Sequence, residues 1–208
     1  MLQQEKNVKV NGKRWAGYAA AGVAALSASA ETAEADITHV VVNQNWGTND
    51  LYYGLVAPAS LNFFHNGSFG AYVGVYVGGS IGGDVVGFNA NGYNYLSNLA
   101  AGANVSTQAF LTSVFGTLAY NSGYTNSQFL NTGGFFGFSF DAGAGLQFGW
   151  GRVTSNLDSP VNTYTIVDYA FADPGESIAV GQIPEPTSLG LLALGACGVM
   201  INRRRRKA

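Results

Sequence analysis

The amino-acid sequence predicts an all-β protein whose central part is an antiparallel β-sandwich of jelly-roll type. Between positions 36 and 183, short runs of β-branched and aromatic residues alternate with Gly, Asn, Asp and Ser, a pattern typical of many short strands joined by turns. Helical periodicity is scarce in the same span. Only 11% of the 208 residues are charged and 29 are glycine, whereas globular domains average roughly 25% charged residues. The chain is therefore poor in charge and rich in turns.

Three segments follow one another along the chain. Residues 1–35 read as an N-terminal signal helix, residues 36–182 as the β-sandwich domain, and residues 183–208 as a tail with a short C-terminal hydrophobic helix. The strands expected in the domain, taken in order, are residues 37–43, 61–64, 71–77, 84–88, 109–119, 134–140, 146–154, 163–172 and 177–180.

The clearest unit in the domain is a hairpin that turns at residues 141–145. On either side of the turn, large side chains alternate with small or polar ones; the large ones are Phe136, Phe138, Phe140, Leu146, Phe148 and Trp150. Since successive strand residues point to opposite faces, we expect these six side chains on one buried face.

The first 35 residues have the three parts of a secretory signal peptide. Four positive charges lie within residues 6–14, and an apolar run follows over residues 15–30. Ala33 and Ala35 supply the Ala-x-Ala pattern that signal peptidase cleaves, and the predicted cut follows Ala35. Residues 28–30 offer a second pattern of this kind. This end predicts export.

The other end of the chain combines a proline-rich break, an apolar run over residues 189–201 and a cluster of positive charges. The break is Pro184-Glu185-Pro186, and the cluster is Arg203, Arg204, Arg205 and Arg206. A helix over the apolar run spans about 20 Å, short of the roughly 30 Å hydrocarbon core. Flanking polar residues and snorkelling arginines extend it into a short transmembrane segment. The arginines favour the cytoplasmic side, which leaves the domain outside.

This order of features resembles the PEP-CTERM family of sorting tails. Residues 184–186 stand where the family has its motif, residues 189–201 where it has its helix, and residues 203–206 where it has its basic end. The resemblance implies recognition by an exosortase, a membrane protease that removes the tail near the Pro-Glu-Pro motif. It also implies a destination at the cell surface or in an extracellular polysaccharide matrix. The stretch from Trp150 to Gly175 is similar to a part of PEP-CTERM surface proteins that carries no known site.

Charge is distributed very unevenly along the chain. Nine of the ten Lys and Arg residues lie in the two ends, and residues 36–183 hold one positive and eight negative charges, a net charge of −7. A nucleic-acid binder needs several cations to neutralise phosphates, and Arg152 is the one cation of this span. Nucleic acid is therefore excluded as a partner.

Residue patterns in the domain favour no catalytic site, no metal site and no cofactor. Ser80 lies in a Gly-x-Ser-x-Gly sequence, but the residues after it make a poor helix and both histidines precede it, so a turn between strands is the better interpretation. Asp168, Asp173 and Glu176 are calcium candidates without the spacing of a calcium loop. A glycosidase pair of carboxylates depends on the fold and stays open.

Four tyrosines in Asn-, Ser- and Gly-rich stretches offer flat rings beside amides, the combination that sugar-binding faces use; they are Tyr93, Tyr95, Tyr120 and Tyr124. The competing interpretation is that they cap the core.

The sequence thus predicts an exported, exosortase-processed surface or matrix protein that is not an enzyme and has a structural or adhesive role. A carbohydrate-binding module for extracellular polysaccharide is the alternative, and a hydrolase is the third hypothesis.

Overall fold

A computed structural model describes residues 36–46, 49–66, 70–119, 126–130, 132–156 and 163–184. The chain in these ranges is nearly all β, with a single-turn 3-10 helix at Val105–Thr107. The predicted all-β class is confirmed, whereas the expected helices in residues 1–35 and 189–201 lie outside the described ranges. The strands are β1 (Ile37–Trp46), β2 (Leu51–Gly54), β3 (Ala59–Asn66), β4 (Gly70–Val77), β5 (Ser80–Ile81), β6 (Asp84–Ala90), β7 (Tyr93–Leu96), β8 (Phe110–Leu111), β9 (Gly116–Ala119), β10 (Gly133–Asp141), β11 (Leu146–Asn156) and β12 (Thr163–Ala172).

All of these strands belong to one sheet. Its order is β1-β12-β11-β10-β6-β7-β9-β4-β3-β2, and β5 and β8 pair at the side with β4 and β6. The pairs are antiparallel except for a short parallel contact of β7 with β9. The sheet curls until its two end strands approach each other, which gives a barrel-like shape. The predicted two-sheet sandwich is not confirmed, because one hydrogen-bonded path connects the strands.

The sheet closes through side chains at a seam between β1 and β2. The Tyr53 hydroxyl donates to Gln44 Oε1 at 2.8 Å, and the Tyr169 hydroxyl donates to the Gly54 carbonyl at 3.1 Å. Burial raises the pKa of both tyrosines, so both hydroxyls keep the protons that they donate. Below them, the rings of Trp46 and Phe63 lie 4.9 Å apart. The described residues thus join the two ends by polar and aromatic contacts.

The β10–β11 hairpin forms as predicted, but its large side chains divide between two faces. Phe138 pairs with Gly149 and Phe136 with Gly151, and residues directly opposite each other share a face. The phenylalanine rings therefore cover glycines inside the barrel. Trp150 and Phe148 point to the outer face, and Leu146 is 48% exposed. The prediction of one buried face was wrong because the register pairs each of these six large residues with a small or polar residue of the other strand.

The sheet has a buried cluster on each face. The inner cluster fills the barrel with aromatic and aliphatic side chains, among them Phe63, Phe136, Phe138 and Tyr164. The outer cluster lies over β10, β11, β12 and β1 and contains Trp150, Val105, Ile178 and Val180. Loop residues supply most of its cover, since Leu99 and Val105 precede β8 and Ile178 and Val180 follow β12. A second layer thus packs on the outside of the barrel.

Turn geometry accounts for most strand boundaries. Gly78 and Gly79 have φ angles of +62° and +85° and connect β4 to β5, so Ser80 lies in a hairpin and the predicted turn is confirmed. The expected strand at 109–119 is broken, because Ser113 has a φ of +50° between β8 and β9. Residues 177–180 make only an isolated bridge from Ala179 to Asn104 and are not a strand.

Candidate functional site

The last described stretch of the chain is held against the outer face of the sheet. Ile178 and Val180 are almost completely buried in the outer cluster. The Val180 amide donates to the Ala103 carbonyl and the Val180 carbonyl accepts from the Gly102 amide, both at 2.9 Å. This segment is therefore fixed to the domain by burial and by backbone hydrogen bonds.

The fixed segment ends at Gln182. Its carbonyl accepts a hydrogen bond from the Trp150 indole Nε1 at 3.0 Å. Its amide donates to the Ala179 carbonyl at 2.9 Å, and its side-chain Oε1 accepts from the Ala179 amide at 3.0 Å. Gly181 permits this tight turn with a φ of +80°. Beyond it, Ile183 is 50% exposed and Pro184 is exposed, so the last two described residues are not buried in the domain.

An ion pair lies on the sheet close to this point. Arg152 on β11 donates from Nε and Nη2 to the two carboxylate oxygens of Asp168 on β12, each at 2.8 Å. His39 Nε2 lies 3.0 Å from Asp168 Oδ2. The Asp168 side chain is 6% exposed, whereas that of Arg152 is 45% exposed. Fork geometry of this kind is the strongest form of a carboxylate pair, and it neutralises a charge that burial would otherwise make costly.

A shallow cavity of about 340 Å³ lies between the ion pair and the departing chain. The residues at its surface are called here the exit face: Val41, Asn43, Arg152, Val167 and Ile183. Val41 is 64% exposed. Asn43 has a left-handed φ of +51° and lies where the β1–β12 register shifts, which marks a bulge that leaves the sheet edge uneven. Three of the five exit-face residues are aliphatic, and the other two are Asn43 and the paired Arg152.

A second concavity, of about 390 Å³, lies where β4, β7 and β9 meet. This aromatic groove is lined by Tyr72, Tyr93, Asn94, Phe115 and Thr117, among others. Tyr93 is 38% exposed. The groove therefore presents aromatic rings beside an amide and a hydroxyl, the combination expected of a sugar-binding surface.

The four tyrosines selected from the sequence do not form one group among the described residues. Tyr93 lines the aromatic groove, but Tyr95 is 1% exposed and its ring stacks on Phe88 at 5.7 Å. Tyr95 therefore offers no exposed ring, because it packs against the sheet. Tyr120 and Tyr124 lie outside the described residues.

The carboxylates considered for calcium have other surroundings. Asp168 is engaged by Arg152 and His39, and Asp173 is exposed in the turn after β12. In the ranges that the structure describes, no group of three or more His, Cys, Asp and Glu residues is placed to hold a metal ion. Arg152, the one cation of residues 36–183, is thus paired with a carboxylate.

Several contacts of the site could hardly be predicted from the sequence. The partner of Arg152 is 16 residues away and that of His39 is 129 residues away, and only the register of β1, β12 and β11 brings the three together. The contact of Trp150 with Gln182 depends on how the last segment folds back. A local signal did exist for the groove, since Asn91-Gly92 is a typical hairpin turn and joins β6 to β7 beside Tyr93.

Most residues of the two predicted processing signals lie outside the described part of the chain. This holds for Ala33, Ala35, Glu185, Pro186 and the four arginines at 203–206, whereas Pro184 is the last described residue. In the described ranges there is no helix of the length and hydropathy that crossing a bilayer requires. The expected transmembrane segment at 189–201 falls beyond those ranges.

Comparison with protein families gives one match. Residues 182–206 match the PEP-CTERM protein-sorting motif. The match begins at the residue whose carbonyl the Trp150 indole holds. No curated protein and no solved structure matches the chain. A motif of this kind marks an exported, surface-targeted protein that an exosortase processes.

Proposed function

Because the chain carries a PEP-CTERM protein-sorting motif, we propose that it is a cell-surface or extracellular-matrix protein with a non-catalytic, structural or adhesive β-domain. The observation that carries the proposal is the position of the motif, which starts where the fixed part of the domain ends. A folded domain followed at once in the sequence by a processing signal is the arrangement expected of a protein that is exported, held briefly and then released or transferred.

The two ends have separate roles in this proposal. Signal peptidase removes residues 1–35 after Ala35. Residues 189–201 then span the membrane for a short time, with the arginines at 203–206 on the cytoplasmic side. The exosortase cuts near residues 184–186 and frees the domain from the span. The apolar run is shorter than the hydrocarbon core of a bilayer. It is therefore poorly suited to be a permanent anchor and suits such a temporary role.

Mass spectrometry of the protein from a host with an exosortase tests this. We expect the wild-type surface fraction to lack both residues 1–35 and the arginine cluster. Replacement of Pro184, Glu185 and Pro186 by alanine should leave the tail attached, because the protease loses its recognition residues. Thr187→Ala with Ser188→Ala is the matched control and should be processed normally. A wild-type surface protein that still starts at Met1 and ends at Ala208 would disprove the processing route.

The aromatic groove supports a second function, the binding of extracellular polysaccharide. Tyr93 and Phe115 line the groove with Asn94 and the exposed Ser113, so a sugar ring could stack on an aromatic face while its hydroxyls meet an amide and a hydroxyl. The groove is open along the sheet surface, which suits a chain rather than a small enclosed ligand.

A glycan array with purified protein tests this second function. Tyr93→Ala should weaken binding about fivefold, since stacking on one ring is worth on the order of 1 kcal/mol. Tyr52→Ala is the matched control, because Tyr52 is 62% exposed and is not among the residues that line the groove. Equal binding by wild type and Tyr93→Ala, or no binding to any matrix polysaccharide, would remove the hypothesis.

A further inference from the structure

The exit face and the sorting motif are neighbours along a very short piece of chain. Among the described residues, Gln182 is the last that forms hydrogen bonds with the domain, and Ile183, which follows it, already belongs to the wall of the cavity. Extended chain spans at most about 3.6 Å per residue, so residues 183–186 reach no farther than about 14 Å from Gln182. Any enzyme that cuts within this stretch works beside the folded sheet.

The chain before the motif cannot serve as an extended substrate while it stays folded. Ala179 and Gln182 close a turn by two mutual hydrogen bonds, and Gly181 within it is left-handed. Proteins that recognise peptides commonly hold them extended, as an added strand. On the amino-terminal side of the motif, the enzyme therefore meets the sheet in place of further extended chain.

The exit face has the composition of a contact surface. Val41 and Ile183 are 64% and 50% exposed, a larger exposure than that of most apolar side chains in the described ranges. Arg152, the one cation of residues 36–183, lies among them with its charge offset by Asp168. The face is thus partly apolar and close to neutral in a domain of net charge −7. It suits an apolar, weakly charged partner surface.

We propose that the exit face is a docking surface for the exosortase that processes this protein. This inference rests on the proposed function. The enzyme recognises the motif together with the folded domain, and the hydrogen bond from Trp150 to Gln182 fixes the distance between the two. Cleavage then depends on a correctly folded domain as well as on the tail, so that a misfolded chain is a poor substrate.

The experiment compares full-length variants in a purified reaction with the detergent-solubilised exosortase of the same host. Val41→Glu places a charge on the exit face, and insertion of Gly-Ser-Gly-Ser between Ile183 and Pro184 moves the unchanged Pro184-Glu185-Pro186 break away from it. We expect both changes to slow cleavage by about tenfold or more, the factor that 1.4 kcal/mol of lost binding gives. Leu146→Glu is the matched control, since Leu146 is 48% exposed at the β10–β11 turn and should leave the rate unchanged.

Each outcome of this experiment decides between the two proposals. If the alanine variant of residues 184–186 resists cleavage while Val41→Glu and the insertion are cleaved like wild type, the docking surface is disproved and the processing route stands. Faster cleavage of the insertion variant also disproves docking, because the domain would then obstruct the enzyme. If Val41→Glu slows cleavage in cells but not in detergent, the face contacts the bilayer and the docking proposal fails.

If the alanine variant is cleaved normally, the proposed function itself fails. A thermal melt of Val41→Glu equal to that of wild type shows that its domain is folded.

Discussion

Arg152→Ala is expected to destabilise the purified protein by about 2 to 3 kcal/mol, measured by urea unfolding. The change removes both short hydrogen bonds from the Asp168 carboxylate and leaves a 6% exposed charge with His39 as its remaining side-chain partner among the described residues. Removal of one member of a buried pair typically costs 3–5 kcal/mol. The guanidinium here is 45% exposed, and solvent already screens part of its attraction, so the expected loss is smaller.

Two further variants separate charge from geometry at this pair. Arg152→Lys keeps the charge but loses the fork, and we expect it to cost about 1 kcal/mol. Arg152→Met combined with Asp168→Leu removes both charges and should recover most of the loss, since apolar replacements of buried pairs are often close to neutral. A free energy of unfolding for Arg152→Ala within about 0.5 kcal/mol of wild type would mean that water, rather than arginine, stabilises the carboxylate.

Gly151→Ala is expected to cost about 2 to 3 kcal/mol, because the new methyl group would enter the space of a buried ring. A Cβ at this position would lie 2.4 Å from Phe136 Cζ. Phe136 has no exposed surface, and its ring packs 6.0 Å from that of Phe63. The ring therefore has little room to move aside. The urea midpoint of the variant should fall without a change in slope.

The control for this variant is Gly54→Ala, where no heavy atom lies within 4 Å of the new methyl group. Its stability should stay within about 0.5 kcal/mol of wild type. Phe136→Leu should partly rescue Gly151→Ala, since the three nearest atoms to the added Cβ all belong to that ring. The double variant should lose less stability than the two single losses together. If the stability losses of Gly151→Ala and Phe136→Leu were strictly additive, residues other than Phe136 would be relieving the clash.

The sequence was sufficient for the strand content because alternation and turn residues are local signals. The strand Thr163–Ala172 has the predicted bounds, and Gly78-Gly79 forms the predicted turn. Closure of the sheet was not predictable in this way. It depends on pairs such as Tyr169 with Gly54, which are 115 residues apart. The prediction that the large side chains of the β10–β11 hairpin share one face failed for a similar reason. The face on which each side chain lies depends on the register of the two strands.

The candidate site, too, was predictable where its residues are contiguous in the sequence and was not predictable where the fold brings them together. The sorting motif consists of contiguous residues, and its identification from the sequence is confirmed by the match at residues 182–206. The exit face combines residues of β1, β11 and β12 with the final loop, and no sequence pattern links Val41 to Ile183. Tyr93 was selected for its neighbours in sequence, and the same reasoning selected Tyr95, which the adjacent Phe88 ring and the sheet bury. Exposure is decided by the fold rather than by composition.

The side-chain seam between β1 and β2 has a consequence for how the domain opens. Parting most pairs of neighbouring strands breaks a ladder of backbone hydrogen bonds, but at the seam the described contacts are two tyrosine hydroxyl bonds and ring packing. Breathing of the barrel should therefore begin there, with a smaller free energy than global unfolding. Amide protons next to the seam would exchange with solvent ahead of those in β10–β12. Each opening would briefly expose the rings of Trp46 and Phe63 to water. These two rings would be the first core groups to become accessible to a quencher dissolved in the solvent.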